Sequence, residues 1–214
     1  MKYNYFFILT VILFSSCSPK IIEKSIPFDE ERTSLSVEYL NVRYGLDRRI
    51  PWIIPQVIVV HWTAIPTFDA SYNAFVNTHL PSSREKLTGA SSLNVSAHYL
   101  IDRDGKIYQL MPNTLFGRHT IGLNHSAIGI ENVGGSEEGL TEEQFKANLK
   151  LIRKLTKMYD IDYVIGHHEY QKFIGHELWL ERDPNYLTEK SDPGDEFMNR
   201  LRKKLKRAHL KPIP

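Results

Sequence analysis

The sequence predicts an α/β domain with a mixed central β-sheet flanked by helices, and three observations carry that prediction. Val57-Ile58-Val59-Val60 is an unbroken run of β-branched apolar residues, the pattern of a buried strand. Strand-like and helix-like segments alternate along the chain. Asp102-Arg103-Asp104-Gly105 sits between two short strand-like runs as a tight turn, and the hairpin it makes adds an antiparallel pair.

The elements follow in order. Lys2 precedes an apolar run, Tyr5 to Phe14, that falls short of the roughly 20 residues a membrane-spanning helix needs and fits the core of an export signal. Phe14-Ser15-Ser16-Cys17 then resembles the lipobox of bacterial lipoproteins, with Phe14 where leucine is usual. That resemblance implies a signal peptide over 1–16 and a lipid on the Cys17 sulfur. Residues 17–33, polar and carrying Pro19 and Pro27, read as the lipidated cysteine and its tether, with the domain over 34–214. Lipid chains there anchor an otherwise soluble domain to a membrane.

Ser34 to Gly45 reads as a short helix with Val37, Leu40 and Tyr44 on one face and Gly45 as its stop. Asp69 to His79 reads as a second, capped by Asp69, with Tyr72, Phe75, Val76 and His79 in one stripe. Pro81 to Asn94 is a Ser- and Lys-containing loop long enough to border a site. Ala97–Ile101 and Lys106–Leu110 are the arms of the hairpin, and Ala127–Val133 is a further strand stopped by Gly134-Gly135. Thr141-Glu142-Glu143-Gln144 is a capping box that starts a helix running to about Asp160. Tyr163–Ile165 is a short strand, and Gly194 to about His209 a closing helix with Phe197, Leu201 and Leu205 on one side.

Composition narrows the function. Hydrophobic content of 42% and charged content of 24% are those of a globular domain with a real core. A net charge of +2 gives no reason to expect nucleic acid as a partner, although it suits an anionic polymer. The basic run Arg200 to Arg207 reads as a solvated helix face. Cys17 is the only cysteine, so the domain has no internal disulfide and no thiolate ligand or nucleophile.

The candidate chemistry lies in three separated segments. His61 ends the buried strand, His167 stands in Gly166-His167-His168-Glu169, and Asp192 in Lys190-Ser191-Asp192-Pro193-Gly194. Two imidazoles and a carboxylate with a fourth position open are the ligand set of a catalytic zinc. A contiguous zinc-protease motif is absent: Lys172 follows His168-Glu169 where a second histidine is required, and Leu180 follows His176-Glu177. Any zinc is therefore assembled from distant segments. His176 is a rival third ligand.

Five pieces in order resemble the amidase-2 family of N-acetylmuramoyl-L-alanine amidases, which includes the peptidoglycan recognition proteins and amidase-type phage lysozymes. They are Val59-Val60-His61-Trp62-Thr63-Ala64, the run from Val95 to Gly105, Ser126-Ala127-Ile128-Gly129-Ile130-Glu131, Gly166-His167-His168-Glu169 and Lys190-Ser191-Asp192-Pro193-Gly194. The resemblance covers about residues 55 to 200. It implies a zinc hydrolase that cuts the amide between N-acetylmuramic acid and L-alanine, acting on peptidoglycan or muropeptides. His61, His167 and Asp192 are then the Zn2+ ligands. Glu131 is the catalytic carboxylate, suited to moving a proton from water to the leaving amine. Lys190 is the catalytic lysine, suited to stabilising an oxyanion. His119 matches a position facing the substrate groove, and His98 another recurrent position, read as core packing or contact behind the metal site rather than ligation, with the substrate as the alternative. His168 is a neighbour of the metal rather than a ligand.

Two departures qualify the match. Ala97 stands where some phage members carry a catalytic tyrosine, so the chemistry rests on Glu131 and Lys190. Glu169 to Glu189 is an insertion that, with the Pro81–Asn94 loop, is expected to wall the groove. Together with the lipobox, the resemblance implies an outer-membrane lipoprotein facing the periplasm. The competing reading is a non-catalytic peptidoglycan-binding module.

Overall fold

The computed structural model describes residues 19–82, 87, 89–135, 137–206 and 209–214, so the expected signal peptide and Cys17 lie outside the described residues. Its sheet is built from β1 (Ile21–Glu23), β2 (Val57–Val60), β3 (Tyr99–Ile101), β4 (Ile107–Gln109), β5 (Ala127–Asn132) and β6 (Tyr163–Gly166). Their order is β1-β4-β3-β5-β2-β6. The β3–β4 hairpin is antiparallel and the other pairings are parallel, which makes the sheet mixed as the sequence predicts.

All four residues of β2 are buried because both faces of the sheet are covered. On one face Ile58, Val60, Ile128, Ile130 and Val164 meet α3 (Glu142–Met158) and α4 (Asp195–Leu205) through Phe145, Leu151, Leu155, Met198 and Leu201. On the other, Val57, Val59, Ala127 and Ile165 meet Ile121, Leu123, Tyr170, Phe173 and Tyr186. The period-2 alternation of the strands sorts these two sets. Two further clusters hold α1 (Glu30–Tyr44) and α2 (Phe68–Val76) in place.

The capping box reads through to structure: the Thr141 side chain accepts from the Gln144 N–H while Gln144 reaches back to the Thr141 N–H at 2.9 Å. Gly45 stops α1 at φ 66°, donating to the Asn41 carbonyl. The hairpin closes through Gly105 at φ 81°, with its N–H on the Asp102 carbonyl at 2.9 Å.

Several expectations are corrected. The tether through residue 33 is folded from Ile21 onward: β1 adds to β4 as an edge strand, and α1, capped by Asp29, begins at Glu30, four residues before the predicted start. Short polar context hides an edge strand, because only one side of it is paired. The buried face of α1 is set by Arg32, Ser36, Tyr39, Leu40 and Tyr44, with Val37 at its margin. Thr67, not Asp69, caps α2, and His79 lies beyond that helix, exposed and 3.0 Å from Glu31. α4 ends at Leu205; its basic face is solvated at Lys203 and Lys204, while Arg200 pairs with Glu142 over the Phe145 ring and Arg202 pairs with Glu169 at 2.8 Å.

Candidate metal centre

Register assembles the site. Val60 is the partner of Ile130 in β5 and of Gly166 in β6. One residue further along each strand, His61, Glu131 and His167 emerge side by side at the carboxyl edge of three parallel strands, where ligands bind in open α/β sheets. Asp192 reaches the same place from the loop before α4. Its main-chain carbonyl is held by the His168 N–H and by His168 Nδ1, both at 2.9 Å. Asp192 does not cap α4, a position taken by Gly194.

The three side chains converge. His61 Nδ1 and His167 Nδ1 lie 2.9 Å apart, and Asp192 Oδ2 is 3.1 Å from His167 Nδ1 and 3.2 Å from His61 Nδ1. Ligands at the corners of a tetrahedron around zinc, about 2.0–2.1 Å from it, lie about 3.3 Å from one another. Two imidazole nitrogens and a carboxylate oxygen packed this tightly, all three residues buried, therefore fit a zinc ion in identity, number and spacing. Burial, then the neighbouring His61, push His167 down to about 4, which favours the neutral imidazole a metal needs. Burial alone raises the Asp192 carboxyl, but the His167 and His61 rings beside it overturn that and hold it well below the usual carboxylate range.

A groove of about 300 Å³ opens over this cluster. It is lined by the three candidate ligands and by Glu131, Lys190 and His119. Leu87 from the 81–94 loop and Tyr186 and Thr188 from the insertion wall it, as the sequence leads one to expect. Arg118 ties those two walls together, donating to the carbonyls of Leu87 and Ser91 and to the Tyr186 hydroxyl.

Other histidines sort by their partners. His98 does not line the groove, which fits the core-packing reading and not the substrate contact. It is fully buried, its Nε2 donating to the Leu115 carbonyl at 2.8 Å and its Nδ1 accepting from the Gly129 N–H at 3.0 Å. His176 is not with the metal candidates; its Nδ1 accepts from the Leu178 N–H and its Nε2 meets the Tyr163 hydroxyl at 3.2 Å. His119 lines the groove with one edge and turns the other inward. Its Nδ1 is 3.2 Å from His61 Nε2 and 2.8 Å from Thr120 Oγ1, and its Nε2 is 3.2 Å from the Ala127 carbonyl. Burial, then His61 and His98, hold its pKa well below the ordinary value.

Sequence reasoning missed the polar support behind the site. Asn132, Asn148 and Gln144 are fully buried and run as a chain of hydrogen bonds from α3 to the His61 carbonyl. Asparagine at an inward helix position among Phe145, Leu151 and Leu155 was the available signal.

Residues 51–195 match the Amidase_2 family, N-acetylmuramoyl-L-alanine amidase, over well more than half of the chain. The chain belongs to this family. Among curated relatives, the endolysin of Escherichia phage T7 is 30% identical over 83 residues, covering 36% of this chain and 55% of the endolysin. The chain thus spans about half the length of the curated relatives it matches. Two solved structures share their fold with this chain. The N-acetylmuramoyl-L-alanine amidase LysC from Clostridium intestinale superposes with a TM-score of 0.55 at 22% identity, over 88% of this chain and 98% of LysC. A selenomethionine derivative of AmpD superposes at 0.50 with 26% identity, over 71% and 84%.

Proposed function

We propose that this protein is a zinc-dependent N-acetylmuramoyl-L-alanine amidase that hydrolyses the amide between N-acetylmuramic acid and L-alanine in peptidoglycan or its muropeptide fragments. The observation that carries the reading is the convergence of His61 Nδ1, His167 Nδ1 and Asp192 Oδ2 within 3.2 Å, beneath a groove that also holds a carboxylate and a lysine. When bound there, zinc supplies Lewis acidity to the amide carbonyl and acidifies water beside it.

The chain's own groups supply the rest. Glu131, level with His61 and His167 on the adjacent strand, takes the proton from the attacking water on its carboxylate. It delivers that proton to the leaving L-alanine nitrogen, so the amine departs neutral. Lys190, two residues before Asp192 on the same loop, places its ammonium by the developing oxyanion. The groove walls at Leu87, Tyr186 and Thr188 hold the substrate in line and shed water.

The test is digestion of purified peptidoglycan by the domain, with mass spectrometry of the products. Stem peptides beginning with L-alanine, lost on chelation and restored by zinc, are the expected result. Tight binding to the polymer with no product would make the protein a recognition module instead.

We further infer export and lipidation on Cys17, with the domain held at the cell envelope on the periplasmic side of the outer membrane. The support is the sequence Phe14-Ser15-Ser16-Cys17 after an apolar run of signal-peptide length. Cys17→Ser is expected to move the protein from the membrane fraction to the soluble fraction.

A further inference from the structure

We propose that His119, with Thr120, is a positioning residue that fixes the tautomer of His61, keeping the proton on Nε2 so that the Nδ1 lone pair faces the metal position. This rests on reading His61 as a zinc ligand, and it adds a role behind the metal to the groove-facing position of His119.

The argument is a chain of donors and acceptors. His119 Nε2 faces the main-chain carbonyl of Ala127 at 3.2 Å, and a carbonyl only accepts, so Nε2 carries the hydrogen. A neutral ring then has a lone pair on Nδ1. Two groups face this lone pair: Thr120 Oγ1 at 2.8 Å and His61 Nε2 at 3.2 Å. An unprotonated Nδ1 only accepts, so the shorter bond comes from the threonine hydroxyl, its hydrogen is spent there, and what His61 Nε2 meets is an acceptor. It meets the His119 lone pair, or the Thr120 oxygen at 3.5 Å whose hydrogen is already given to His119. Both routes put N–H on His61 Nε2.

The device is needed because the other side of the ring pulls the opposite way. Asp192 Oδ2 lies 3.2 Å from His61 Nδ1 and attracts a proton there, giving the tautomer that cannot bind metal. A metal-ligating histidine gains its tautomer and orientation from the partner of its other nitrogen. Here that partner is a second histidine anchored to a strand carbonyl.

The backbone makes room for it. A Cβ on Gly129 would come within 2.8 Å of His119 Cδ2 and Cγ, so the ring lies directly on a bare stretch of β5. The same glycine gives its N–H to His98 at 3.0 Å, so one residue seats two imidazoles.

The experiment reads the His61 tautomer and zinc affinity, not activity. Metal-free protein labelled with 15N-histidine is compared at neutral pH as wild type, H119L, H119N and G129A, and zinc affinity is measured by competition with a chelator. H119L is expected to move the His61 proton toward Nδ1 and to weaken zinc binding about tenfold or more. H119N, whose amide oxygen replaces the Nδ1 acceptor, is expected to recover most of that loss. G129A displaces the ring without changing any polar group and is expected to act in the same direction as H119L, which keeps the test open if H119L does not fold. An unchanged His61 tautomer together with zinc affinity within about twofold of wild type would overturn the proposal. A wild type that binds no zinc would overturn the metal reading, and the tautomer comparison on metal-free protein would still decide the role of His119.

Discussion

Asn132 holds the His61 carbonyl with two hydrogen bonds, one from its side-chain Nδ2 at 2.8 Å and one from its own main-chain N–H at 3.1 Å. The side chain of Asn132 is held in turn by Asn148 Nδ2 at 2.7 Å, and Asn148 donates to the Gln144 carbonyl at 2.8 Å. Gln144 belongs to the capping box of α3. The start of that helix is thereby wired to the backbone of the first candidate metal ligand.

A buried chain of this kind is costly to break at one link and cheap to remove whole. Asn132→Leu leaves one of the two Asn148 amide hydrogens without its acceptor and is expected to cost about 1–3 kcal/mol. Adding Asn148→Leu removes the stranded group and is expected to recover part of that loss. Urea unfolding of the two singles and the double measures it, and strictly additive losses would deny the coupling.

Metal content separates the histidines. Asp192→Ala removes one of three converging donors and is expected to lower bound zinc by a large factor. His176→Ala removes only bonds to Leu178 and Tyr163 and is expected to leave zinc stoichiometric. Metal analysis after dialysis distinguishes them, and the reverse order would make His176 the third ligand.

The sequence made the frame legible where one residue type had one job. The β-branched run of β2, the Thr141–Gln144 box and Gly45 each act through local chemistry, and each stands where it was read. What stayed hidden depends on partners far along the chain. β1 is a strand only because β4 offers it an edge, and Arg32 is buried only because the carbonyls of Phe75, Val76 and Asn77 receive its guanidinium. The site divides the same way. His61 and His167 were legible as strand-end residues, but His98 and His119 differ only in what their ring nitrogens face, and spacing carries no record of that.

His98 gives the protein a pH dependence with a definite sign. Burial pushes its folded pKa down to about 4, against about 6.5 for an unfolded histidine. Between those values the unfolded chain binds the proton and the folded one does not, so stability falls as pH drops from about 6.5 toward 4. The loss between pH 7 and pH 5 is about 2 kcal/mol from this one residue. His98→Gln is expected to be less stable at neutral pH yet to lose less on acidification, measured by urea unfolding at the two pH values on metal-free protein. An equal acid loss in both proteins would place the titrating group elsewhere.

The last prediction separates holding the metal from moving the proton. Glu131→Gln keeps the shape of the side chain but removes the base, and Lys190→Met keeps the stem but removes the cation. Neither belongs to the His61, His167, Asp192 donor set, so zinc content is expected to stay at the wild-type level in both. Turnover of muropeptides is expected to fall by about 10²–10³ in each, the usual cost of losing a positioned base or an oxyanion partner. Lys190 is exposed, so its loss has little structural consequence to confuse the result. A Lys190→Met enzyme altered only in KM would make that ammonium a substrate contact on the groove wall, and Glu131 would carry the chemistry alone. A Glu131→Gln enzyme at wild-type rate would move the base to another group, and its lost zinc would instead make Glu131 part of the metal's support.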